Sequence, residues 1–105
     1  MKASADYHQY LHKKLKNPAY AIGYLNECFN DEDDRVFLLG LRHVAKAHGG
    51  IKKLAVKSGM NREHLFRMLS KKGNPRLESL RAIAHAFGWR LAFIPEEHKP
   101  LKKAA

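Results

Sequence analysis

Residues 51–70 read IKKLAVKSGMNREHLFRMLS. Apolar residues recur at three- and four-residue spacing on both sides of Gly59, which predicts two short helices joined by a tight turn. A helix-turn-helix has narrow requirements. A small residue at its fifth position lets the two helices meet closely. The ninth position must tolerate left-handed backbone, where glycine carries no steric penalty. Apolar residues at positions four, ten, fifteen and eighteen hold the pair to its domain. Counted from Ile51, the fifth residue is Ala55 and the ninth is Gly59, and the apolar set falls on Leu54, Met60, Leu65 and Met68. Asn61 then opens the second helix as a cap.

With those residues committed to packing, Arg62, Glu63, His64 and Arg67 are left for the exposed side of the second helix. If this helix enters a major groove, its N-terminal part meets base edges. An Arg there can donate two hydrogen bonds to guanine and a Glu can accept from cytosine, so these four are the expected base readers. Lys52, Lys53, Lys57, Asn61, Lys71 and Lys72 flank them and are expected to meet phosphates, which gives affinity and salt dependence without sequence choice.

Charge is distributed to match. The chain of 105 residues has 20 Lys and Arg against 10 Asp and Glu, a formal net charge of +10. Residues 1–34 carry four Lys and six acids, whereas residues 35–90 carry thirteen Lys or Arg and two acids. The basic excess therefore sits on the segment that holds the paired helices, which points to a polyanionic partner rather than to a generally basic surface.

The flanks read as supporting helices. Asp6 can cap a first helix with Tyr7, Tyr10, Leu11 and Leu15 on one side, after a loose terminus at residues 1–5. Asn17-Pro18 ends it and starts a second helix that buries Ala21, Tyr24, Leu25, Cys28 and Phe29. The acidic run Asp31-Glu32-Asp33-Asp34 suits the N-terminus of a third helix, Arg35 to Ala47. Phe37, Leu38, Leu41, Val44 and Ala45 form its buried stripe, widened by Val36 and Leu39, and His48-Gly49-Gly50 stops it. Beyond the paired helices, residues 71–75 are loop by composition. A further helix, Arg76 to Phe87, carries Leu77, Leu80, Ile83, Ala84 and Phe87 inward. Residues 89–94 alternate Trp, Leu, Phe against Arg, Ala, Ile, as a strand would. A single strand needs a partner for its backbone groups, supplied by a two-fold copy or by another protein. The expected fold is mainly all-α, five to six helices with a short C-terminal strand. It divides into an N-terminal helical extension over 1–34, a helix-turn-helix domain over 35–94 and a polar tail over 95–105.

Other chemistries find little support. Cys28 is the only cysteine and reads as a small core residue. His8 and His12 have the i, i+4 spacing that can hold a metal, but no third ligand is placed with them, so no metal and no cofactor are expected. There is no glycine-rich phosphate loop, no paired catalytic carboxylate and no nucleophile motif around Cys28, so no enzyme is expected. The first twenty residues lack an apolar run and no stretch suits a bilayer, so a cytoplasmic protein without a membrane partner is expected.

The order of a long helix, HGG, the paired helices and then KKGNPRLESLRAIAHAFGWRLAF resembles Xre/Cro-type, lambda-repressor-like DNA-binding domains. More narrowly, YLNECFNDEDDRVFLLGLRHVAKAHGGIKKLA followed by SGMNREHLFRMLSKKGNPRLESL is similar to prophage-associated addiction-module antidotes, the HigA-like antitoxins of type II toxin–antitoxin pairs. The likeness covers Pro18 to Ile94. It departs at Arg76, where a Ser or Thr cap is expected before LESL. The resemblance implies a homodimeric repressor that binds a palindromic double-stranded operator and neutralises a RelE/ParE-like toxin. A stand-alone phage-type Cro or repressor protein, without a toxin, is the alternative the same motif allows.

Overall fold

Local chemistry sets where most of the helices start and stop. The computed structural model describes residues 2–96. Six helices follow in order: α1 (Lys2–Leu15), α2 (Pro18–Phe29), α3 (Asp34–Ala47), α4 (Gly50–Ser58), α5 (Arg62–Met68) and α6 (Leu77–Ala86). Asn17 caps α2, its side chain accepting from the amides of Ala19 and Tyr20 at 2.9 and 3.2 Å, with Pro18 in the first turn. Asp33 caps α3 by accepting from the Arg35 amide at 2.9 Å. Gly59 (φ 73°) and Gly88 (φ 85°) close α4 and α6 in the same way. In each, one amide reaches five residues back and the glycine amide three: Met60 to Ala55 and Gly59 to Val56, then Trp89 to Ala84 and Gly88 to His85.

Two helices organise the packing. α3 touches α1, α2 and α4, and α4 in turn touches α5 and α6. Leu11, Leu15, Ala21 and Leu25 of α1 and α2 join Leu38, Leu41 and Val44 of α3, Leu54 of α4, Leu65 and Met68 of α5 and Ile83 of α6 in one core cluster. The N-terminal helices thus share the core with the helix pair rather than standing beside it. Cys28 is buried against Gly40, where a Cβ would stand 2.8 Å from its sulfur. Burial pushes the Cys28 thiol up, which suits an unreactive core residue.

Several expectations are corrected. α1 begins at Lys2, so Asp6 lies inside the helix and is not its cap. Ala3 and Ala5 are strong helix formers, and nothing in that stretch breaks a helix. Residues 89–94 form no strand: no second strand exists among the described residues to receive their backbone bonds. Trp89 is packed on Phe87, ring centroids 5.0 Å apart, and His48 also meets Phe87 edge-on. Beyond that anchor Leu91, Phe93 and Ile94 are exposed. Leu39 is exposed rather than buried, so the α3 stripe is narrower than its composition suggests, and Phe29 of α2 and Leu77 of α6 are exposed as well. Part of the expected tail, residues 97–105, lies outside the described residues. No helix among those described is long and apolar enough to cross a membrane.

Candidate nucleic-acid interface

The Gly59 turn aims α5. With left-handed backbone at Gly59 and Asn61 extended (φ −66°, ψ 134°), the chain leaves α4 and re-enters a helix within three residues. Ala55 of α4 is buried, as the fifth position requires of a small residue. Leu54, Leu65 and Met68 are buried and Met60 is half-buried, so all four glue positions face the domain. Asn61 caps α5 through its side-chain oxygen, which accepts from the His64 amide at 3.0 Å. Its amide group is left to donate outward. The geometry is compatible with a helix-turn-helix.

The second helix is also held from behind. Arg42 of α3 donates through Nη1 to the carbonyl of Leu69, the C-cap residue of α5. A guanidinium at this end satisfies a carbonyl that has no partner within the helix and complements the helix dipole. Gly73 then folds the following loop back onto α5. A Cβ at that position would collide with the backbone of Met68, so only glycine fits so close an approach.

Arg62, Glu63, His64 and Arg67 are all exposed. On a helix of this period, with Leu65 and Met68 inward, Glu63 and Arg67 project from the outermost line, Arg62 stands on one flank and His64 on the other. The surroundings agree. One open hollow is lined by Asn61, His64 and Arg67 together with Asn74 and Arg76 of the following loop. A second is lined by Arg62, Glu63, Phe66 and Arg67 of α5 with Gly50 and Lys52 from the start of α4. Arg67 borders both. The fold therefore gathers the four expected readers with Lys52 and Asn61. Lys53, Lys57, Lys71 and Lys72 are exposed but line neither hollow.

Two residues of this face escaped the sequence reading. Arg76 is the N-cap residue of α6 but makes no side-chain cap bond. Its guanidinium is exposed beside His64 and Arg67 instead. The signal was the departure itself, a cation where a cap oxygen is the usual choice. Phe66 is 63% exposed on the outer side of α5. An apolar residue between two glue positions gave no reason to separate it from the core.

The histidines pair differently from their spacing. His8 faces His43 of α3, ring centroids 5.9 Å apart, rather than acting with His12. His43 Nδ1 is hydrogen-bonded to the Tyr24 hydroxyl at 2.8 Å. Among the described residues no three of His, Cys, Asp and Glu gather where they could hold a metal. His48 Nε2 lies 2.6 Å from the Leu15 carbonyl, so this side chain ties the end of α1 to the end of α3.

A family model described as a probable addiction module antidote protein matches residues 4–95. No curated protein and no solved structure matches the chain.

Proposed function

The chain belongs to the family of probable addiction module antidote proteins, and on that premise we propose that it is the antitoxin of a type II toxin–antitoxin module. It neutralises a RelE/ParE-like toxin and represses its own operon by binding a palindromic operator as a cytoplasmic homodimer. In this reading the domain is of the lambda-repressor-like Xre/Cro type, organised as in HigA-like antitoxins, and it works by binding without catalysis. Membership of the family supports the antidote role and implies a toxin partner.

The DNA-binding role is supported by one observation. The turn at Gly59 presents Arg62, Glu63, His64 and Arg67 to solvent while Leu65 and Met68 of the same short helix are buried. Such a helix can place its N-terminal side chains on base edges in the major groove. Arg62 or Arg67 would donate to guanine and Glu63 would accept from cytosine. Lys52, Lys53, Lys57, Lys71 and Lys72, with the Asn61 amide, would meet phosphates, and Arg76 joins them from the α6 side.

A repressor without a toxin would use every one of these DNA-facing residues, so the two readings part only at the toxin. Co-expression with the product of the adjacent reading frame separates them. The antitoxin reading predicts relief of that product's growth arrest and co-purification of the two proteins. An adjacent product that neither arrests growth nor binds the chain would remove the antitoxin role and leave the repressor.

A further inference from the structure

On the premise that α4 and α5 bind duplex DNA, we propose that Phe66 reads the C5-methyl group of a thymine in the half-site that α5 contacts. Phe66 is 63% exposed on α5 and takes no part in the core cluster. It lies one helical turn after Arg62, on the same flank, and next to the outermost line that carries Glu63 and Arg67. Its ring lines the hollow between α5 and the start of α4, which Ile51, Lys52, Arg62 and Arg67 also line.

An exposed phenyl ring among three cations has an unusual set of neighbours. The cations select a polyanion, and most of the surface of a nucleic acid offers nothing apolar to a phenyl side chain. The exception on a base edge is the thymine methyl, which projects into the major groove and which Phe can contact directly. Ile51, half-buried at the edge of the same hollow, makes the pocket more apolar where the ring sits. A protein partner that wanted Phe66 would have to cover Lys52, Arg62 and Arg67 as well, so the charge around the ring favours DNA. Phe66 is therefore a specificity residue acting beside the hydrogen-bonding readers, and it excludes cytosine as well as preferring thymine. Cytosine lacks the methyl and offers an amino donor to a ring that cannot accept it well.

The full chain should be used to select bound duplexes from a pool of random sequence. Each thymine of the enriched half-site is then replaced singly by deoxyuridine, which keeps the base pair and removes only the methyl. One such replacement should weaken binding by the wild-type chain about fourfold, the loss corresponding to one buried methyl. Phe66→Ala should bind the intact site more weakly, respond to no deoxyuridine replacement, and tolerate other bases at that position. Phe66→Leu should keep part of the preference. The side chain is exposed, so both variants should retain the wild-type circular dichroism and melting temperature. If Phe66→Ala binds the selected duplex as the wild type does, or if the same deoxyuridine replacement weakens both chains alike, the assignment is overturned while DNA binding by α5 stands. Failure of the pool to enrich any duplex removes the DNA-binding premise and the assignment together. Loss of toxin capture by Phe66→Ala with DNA binding unchanged also overturns it, by giving the ring to a protein.

Discussion

The Arg42 guanidinium holds the carbonyl of Leu69, and this one contact ties α3, the helix at the centre of the packing, to the far end of α5. Neither residue faces the candidate interface. Their bond acts on it by fixing the direction in which α5 projects, and hence where Arg62, Glu63 and Arg67 point.

Arg42→Met should therefore weaken both folding and DNA binding without changing sequence preference. Loss of a charged hydrogen bond to a half-buried carbonyl is expected to cost about 1.5–3 kcal/mol. Urea unfolding measures that loss. Binding to preferred and random duplexes should fall by similar factors. A variant whose base preference shifts would place Arg42 among the readers instead.

Three glycines give opposite signs under the same substitution. Gly59→Ala forces an L side chain into left-handed backbone (φ 73°) and should cost about 1–2 kcal/mol. Gly73→Ala should cost more, because its Cβ meets the backbone of Met68 and that backbone cannot yield without moving the end of α5. Gly23 lies within α2 with open space around it, and Gly23→Ala should stabilise by about 0.5–1 kcal/mol. Thermal melts of the three variants check the order, and a stabilising Gly73→Ala would mean that the loop does not fold back onto α5.

The beginning and end of most helices were legible in the sequence because capping is a local matter. Asn17-Pro18, Asn61 and the glycines 59 and 88 act within a few residues of themselves, and each sits where expected, while the acidic run before α3 supplies its cap in Asp33. The start of α1 was misjudged because Asp6 offered a cap that a longer helix had no need of. What depended on distant partners was hidden. The Arg42–Leu69 contact joins residues far apart in the chain, and only the packing of α1, α2 and α3 brings His43 to His8 and to its hydrogen bond with Tyr24. The alternation over residues 89–94 is a real pattern, but pairing needs a second strand that the described residues do not supply. On α5, the helix period separated the buried Leu65 and Met68 from the exposed Arg62, Glu63, His64 and Arg67. It did not mark Phe66 as exposed, because its hydrophobicity points inward while its place on the helix points outward.

The buried edge of α3 should make stability depend on pH. Burial, then the charges of His8, Arg42 and Lys46, lower the proton affinity of His43 below the ordinary 6.5. The Tyr24 hydroxyl is hydrogen-bonded to the same ring. In the window from 6.5 down to the lowered folded value, the unfolded chain binds more protons than the folded one, so stability falls as pH falls. Melting temperatures between pH 7.5 and 5 should drop for the wild type and drop less for His43→Gln. Asp33 acts lower on the scale. Its hydrogen bond to the Arg35 side chain holds its carboxyl at about 2 against an ordinary 3.8. The stability it adds is present above 3.8 and is lost as pH falls through about 2, so Asp33→Ala should flatten the acid limb below pH 4. An unchanged slope in either variant removes that residue from the account.

Asn61 should matter twice. As the cap of α5 it accepts from the His64 amide, and Asn61→Ala should cost about 1 kcal/mol of stability. Asn61→Asp keeps the cap and should restore stability, yet it places a negative charge where a phosphate is expected and should still weaken DNA binding. Recovery of both properties in Asn61→Asp would confine Asn61 to capping.

The most direct test of the proposed DNA-reading role is a titration of Arg67→Ala, the residue that borders both hollows, against the chain's own upstream DNA and a random duplex. Footprinting should first show the wild type protecting two half-sites about one helical turn apart. Arg67→Ala should then lose about 1–3 kcal/mol on the upstream DNA, relax preference at one base pair, and bind the random duplex nearly as before. Equal losses on both duplexes, or no protected half-sites for the wild type, would contradict the assignment of α5 as the helix that reads DNA.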